Sequence, residues 1–260
     1  MQPVTAASAL ALIDAVQLPP NPLAGFERAA AHPDKAAQLD ATKNQATVVG
    51  SEVVSFLKGV TNEQRQDVVN TTLLAQLVAN RKVPDHANIF AWFEAYFEVL
   101  GQLGWVIENK GFSSYEEQAD GLEAHEAILQ IAAVVLGATP TALAIVTSTI
   151  QSMKAMDQSR PWITIFDRES KRANTARFQV AVAQTSKSSV LALSLMAFAL
   201  EAETTLTQVL FFKFRRGRAK LKQCSTSVVI NQEVLVAVRD KVKKKLGSYV
   251  NDYVDSLNLG

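Results

Sequence analysis

The sequence predicts an α+β fold: a helical N-terminal layer packed on a C-terminal antiparallel sheet, closed by a final long amphipathic helix. Three observations lead there. Up to residue 158, capping signals and prolines punctuate apolar runs of helical period. After Arg160 the period falls to two, the repeat of a strand. From Asn231 to Leu257, Leu235, Val238, Val242, Leu246, Val250 and Tyr253 recur every three or four residues, opposite Lys241, Lys243, Lys244 and Lys245. These shifts divide the chain into a helical region, 1–158, and a β region with its closing helix, 159–260, expected to form one compact domain. Hydrophobic residues at 48% and charged residues at 20% exclude a disordered chain.

In chain order, a helix near Val4 to Val16 ends at Pro19, Pro20 and Pro22, which cannot continue it. A helix is expected over Asp34 to Lys58. Thr61 and Gln64 form a capping box behind Val60, opening a helix that stops before Pro84. Asp85 to Leu103 is the most aromatic helix, its one polar stripe made by Glu94, Glu98 and Gln102. Ser114 and Glu117 suggest a second capping box before a helix ending near Gly137. Thr139 and Pro140 then suit an N-cap and first helical position.

Ala127 to Met153 carries no charge over 27 residues, long enough by itself to cross a bilayer. The Gly137–Thr139–Pro140 break splits it, and Gln130, Thr147, Ser148 and Gln151 are awkward in lipid. A buried helical hairpin is the expectation, with membrane insertion as the alternative. Beyond it, strands are expected at Trp162–Phe166, Arg177–Thr185, Ser189–Leu200, Leu206–Arg216 and Lys220–Ile230, giving an antiparallel sheet of four or five strands.

The net charge of +1 conceals two fields. Asp85 to Glu126 holds nine acidic residues against Lys110, and Thr207 to Val250 holds eleven basic residues against Glu233 and Asp240. The positive field suits anionic phospholipid; without aromatics interleaved for base stacking, nucleic acid is not favoured. His32, His86 and His125 are widely spaced, and no paired-ligand motif, nucleophile elbow or phosphate loop occurs, so no metal is expected. The start MQPVTAASALALIDAV lacks the basic residues of a signal peptide. The chain is therefore expected in the cytoplasm of the producing cell, or released by another route and peripheral to membranes.

The one cysteine, Cys224, follows six basic side chains, Lys213, Arg215, Arg216, Arg218, Lys220 and Lys222, with no acid among them. Such neighbours stabilise a thiolate and attract anionic headgroups, which makes Cys224 a candidate S-acylation site. A free cysteine is also a common buried hydrophobe. Strand parity puts Lys220, Lys222, Cys224 and Thr226 on one face, where the sulfur would be accessible and electropositive. One acyl chain binds membranes only marginally, and nearby cations add about 1 kcal/mol each, so the two signals act together.

An α-rich first half, a β-rich second half and a lone cysteine in the last quarter resemble the Erwinia virulence factor (Evf) family. The resemblance implies a mixed helix-and-sheet fold and a bacterial virulence or persistence effector that is not an enzyme. It also implies a functional cysteine carrying a covalent palmitoyl group, a position that only Cys224 can fill. Phe211, Phe212 and Phe214 are candidates to line a tunnel for that chain. Two other readings stand beside it: a pore-forming toxin that refolds Ala127–Met153 or Ser189–Phe214 into lipid, and a cysteine-dependent acyltransferase or thioesterase pairing Cys224 with His125.

Overall fold

A computed structural model describes residues 4–20, 39–115, 123–157, 159–185, 190–206, 208–211, 213, 219–247 and 249–258. The first helix, α1 (Ala6–Ala15), is followed by a hairpin of β1 (Gln45–Val49) and β2 (Glu52–Phe56). The described part of the helix expected over Asp34–Lys58 is thus mostly strand. Its β-branched residues are buried on both faces, which removes the alternation that marks a strand in sequence. Gly50, at φ +55°, makes the turn between the two strands.

Thr61 caps α2 (Asn62–Lys82) through the expected box with Gln64. Buried Arg65 on its first turn donates to the carbonyls of Val60, Lys43 and Leu57, tying the helix to the hairpin. The aromatic α3 (Ile89–Gln102) leads into two short strands, β3 (Trp105–Ile107) and β4 (Ser113–Tyr115). Ser114 therefore lies in a strand and caps nothing, while Glu117 lies outside the described residues.

The uncharged stretch forms the expected hairpin, α4 (Ala124–Leu136) and α5 (Pro140–Ala155), with Thr139 at the second N-cap. Among the described residues no helix is long and apolar enough to cross a membrane. Trp162–Phe166, expected as a strand, belongs to α6 (Pro161–Ser170). Trp162, Ile163, Ile165 and Phe166 bury one helical face there, and Pro161 at its start was the available signal.

The sheet continues with β5 (Lys171–Arg172), β6 (Thr175–Thr185), β7 (Leu191–Ala202) and β8 (Ala219–Ile230). No described residue between Leu206 and Phe211 is in a strand. Leu206, Val209 and Leu210 instead anchor the β7–β8 connection in the core. The last helix, α7 (Gln232–Leu246), stops at Gly247 instead of running to Leu257. A short α8 (Tyr249–Tyr253) and β9 (Val254–Asn258) follow, because Gly247 at φ +50° turns the chain.

The fold is α+β, with a larger and more mixed sheet than the four or five antiparallel strands expected. Among the described residues nine strands form the sheet, in the order β3-β8-β7-β6-β2-β1-β9, with β4 also on β8 and β5 on β6. All pairings are antiparallel except β2 with β6. Strands from before residue 158 thus share the sheet with those after it. Helices cover both faces: α1, α2, α3 and α7 enclose one apolar core, and α4, α5 and α6 enclose the other.

Candidate functional site

Cys224 sits in the middle of β8, opposite Ala197 of β7. The predicted parity holds, since Lys222, Cys224, Thr226 and Val228 alternate with Gln223, Ser225 and Ser227 in a regular strand. That face, however, is the one covered by α1, α2, α3 and α7, and the sulfur is 1% exposed. The expectation of an accessible, electropositive thiol is therefore corrected. Burial pushes the thiol up to about 11. The neighbouring Lys222 ammonium lies over the Phe90 ring, 4.7 Å from its centroid.

Beside the cysteine the outer edge of β8 is only partly paired. β3 pairs with residues 228–230 of β8 and β4 with residues 221–223, so residues 224–227 have no strand partner on that side among the described residues. Residues 108–112 bridge the gap. The Asn109 amide donates to Thr226 Oγ1 at 3.0 Å, and Cys224 Sγ lies 3.7 Å from the Asn109 carbonyl.

Of the basic residues, Lys213 and Lys220 are exposed and Lys222 is half-buried. Lys213 lies on the β7–β8 connection and Lys220 at the start of β8, so both stand at the same end of the sheet, with exposed Arg172 of β5. Arg215, Arg216 and Arg218 lie outside the described residues, as do Phe212 and Phe214. Phe211 packs against the core of α4, α5 and α6, on the opposite face of the sheet from Cys224. It therefore does not line a tunnel to that sulfur. The same separation keeps His125 from Cys224, and the nucleophile pair is not assembled. No cluster of metal ligands occurs among the described residues.

Phe211 instead joins a cluster that sequence reasoning did not assemble. Glu123 precedes α4 and Lys154 lies in the last turn of α5; the antiparallel hairpin brings these two ends together. Lys154 Nζ is 3.1 Å from Glu123 Oε2 and 3.4 Å from His125 Nε2, and Lys213 Nζ is 3.9 Å from Glu123 Oε1. The Lys154 hydrogen bond holds the Glu123 carboxyl below the usual range, and burial holds the His125 imidazole below its own. His125 Nδ1 is buried without a hydrogen bond, although Glu123 Oε2 lies 3.1 Å away. A cleft of about 330 Å³ opens beside them, lined by Glu123, Lys154, Gln208 and four apolar side chains, Met153, Met156, Ile163 and Phe211. The signal in the sequence was the pair of charges bracketing the uncharged hairpin.

No protein-family profile and no curated protein matches the chain. Among solved structures, it is similar to a delta-endotoxin at 16% identity, over 80% of this chain and 94% of that one, with a TM-score of 0.42. It is also similar to the activated Cyt2Ba monomer from Bacillus thuringiensis subsp. israelensis at 16% identity, over 53% of this chain and 79% of that one, with a TM-score of 0.32. The Evf virulence factor is similar at 12% identity over 85% and 86% of the two chains, with a TM-score of 0.33.

Proposed function

We propose that this chain is a membrane-directed effector, of the toxin or virulence-factor kind that its sequence layout resembles, which docks on anionic phospholipid without catalysing a reaction. The observation that carries this reading is the exposure of Lys213, Lys220 and Arg172 at one end of the sheet. Lys213, with its side chain 71% exposed, lies 3.9 Å from the Glu123 carboxylate. At an anionic surface each such cation contributes about 1 kcal/mol, so Lys213→Glu with Lys220→Glu removes at least about 2 kcal/mol, or some thirtyfold in affinity. The test is co-sedimentation with neutral and with anionic vesicles at low and high salt. Binding to anionic vesicles that weakens with salt and with the double charge reversal supports the reading; equal binding to neutral vesicles overturns it.

A palmitoyl group on Cys224 is the anchor proposed to accompany this docking. What supports it is that the sulfur lies 3.7 Å from the Asn109 carbonyl, on a segment that is outside any strand and can move without unpairing β8 from β7; the helices over that face must shift as well. Intact-protein mass spectrometry of chain from its native producer checks it. A hydroxylamine-sensitive mass increase supports the anchor, and an unmodified thiol removes it. Dye release separates docking from pore formation: leakage from anionic vesicles that persists in Cys224→Ala favours the pore.

A further inference from the structure

We infer that the cleft between the α4–α5 hairpin, α6 and residues 208–211 is a binding site for a compact apolar monoanion, a carboxylate on a body of about ten carbons. Three features of the cleft lead to that ligand. Its size, about 330 Å³, lies at the small end of sites that take organic molecules. Its wall is apolar and adaptable: Met153 and Met156 carry flexible thioether chains, and Ile163 and Phe211 complete it. At its rim Lys154 and Lys213 both converge on the carboxylate of Glu123, while Glu126 is turned back onto the Glu123 backbone amide at 2.8 Å.

The charge balance decides the ligand class. A cation entering here meets two lysines and an imidazole that burial keeps neutral. A neutral alkyl chain satisfies the wall and leaves the rim as it was. A carboxylate head between Lys154 and Lys213 competes for the two ammonium groups with Glu123, the only carboxylate that the described contacts place on them. This site lies across the sheet from Cys224, so it is independent of any group attached there, although it shares Lys213 with the proposed docking surface.

The test is calorimetric titration of the full chain with monomeric decanoate, decanol and decyltrimethylammonium, without vesicles. The expected result is saturable one-to-one binding of decanoate, at least about tenfold tighter than decanol, and no binding of the cation. Lys154→Gln should weaken decanoate about tenfold and leave decanol unchanged. Glu123→Gln should tighten decanoate severalfold, because it removes the competing carboxylate; a variant that merely damaged the fold would not gain affinity. Met156→Trp, which fills the cleft, should reduce binding of both ligands. Absence of saturable binding, equal affinity for decanoate and decanol, or a loss of decanoate affinity in Glu123→Gln overturns the assignment. Vesicle docking that fails while decanoate binds normally overturns the membrane reading alone.

Discussion

The Tyr96 hydroxyl donates to Glu52 Oε2 at 2.7 Å, and both residues are wholly buried between α3 and the sheet. Glu52 Oε1 has no partner. Its cross-strand neighbour Gln179 leaves Nε2 unpaired, and Arg177, on the same face of β6, directs its guanidinium to Asn80 and the Trp92 ring. Burial therefore raises the Glu52 carboxyl to about 8, against the smaller opposing effect of the Tyr96 hydrogen bond.

This arrangement predicts an alkaline loss of stability. The folded chain holds the Glu52 proton more tightly than the unfolded chain, whose carboxyl titrates near 4.5. The stabilisation is complete below that value and is lost as pH rises through about 8, by roughly 5 kcal/mol in all. Glu52→Gln keeps the shape without the charge. Urea denaturation across this range should show the variant losing much less stability than the parent as pH rises; parallel curves would falsify the assignment.

Asp67 of α2, 2% exposed, accepts two hydrogen bonds from Arg239 of α7, at 2.8 and 2.7 Å. Burial holds its carboxyl above the usual range even with the guanidinium bound. Arg239→Met leaves that group without its partner and should cost about 3 kcal/mol at neutral pH. Adding Asp67→Asn should restore part of the loss, measured as the shift in urea midpoint. A double variant as weak as Arg239→Met alone would show that the charge is not the cause.

The Cys224 thiol should react slowly. Its burial and raised thiol both oppose thiolate formation, so a disulfide reagent should label the native chain at least about a hundredfold more slowly than the urea-unfolded chain. Substituting Asn109→Ala removes a side-chain hydrogen bond from the bridging segment to the Ser225 carbonyl, and labelling should accelerate. An unchanged rate would mean that exposure comes from another movement.

The Thr61 cap offers a smaller, local check. Thr61→Ala removes the hydroxyl that accepts from the Gln64 amide at 3.2 Å and should cost about 1 kcal/mol. Thr61→Ser keeps the bond and should stay within a few tenths of the parent in thermal unfolding.

How far the fold was legible depended on whether a local pattern had one reading. The Thr61–Gln64 box, the Thr139–Pro140 restart and the alternation of β6 each admit one interpretation, and each appears in place. The β1–β2 hairpin and α6 did not, because short apolar runs buried on two sides lose their period and resemble either element. At the site, the parity of Cys224 was readable, but parity cannot say which face of a sheet acquires a helical layer. Phe211 lies near the cysteine in the chain, whereas the sheet holds the two apart. The approach of Lys154 to Glu123 follows from folding the uncharged stretch into an antiparallel pair, a step open to inspection of the charges at its ends.

The order of the strands also sets a timetable for synthesis. β2 meets β6 at Glu52 opposite Gln179, and β1 meets β9 at Gln45 opposite Asn258. A chain emerging from the ribosome thus carries the first hairpin with both flanks bare until distant partners are translated, and one flank waits for the last few residues of the sheet. Strand edges left open that long are templates for pairing between neighbouring nascent chains. Truncation before Val254 should therefore increase aggregation during expression, even though every described helix, α8 included, is retained.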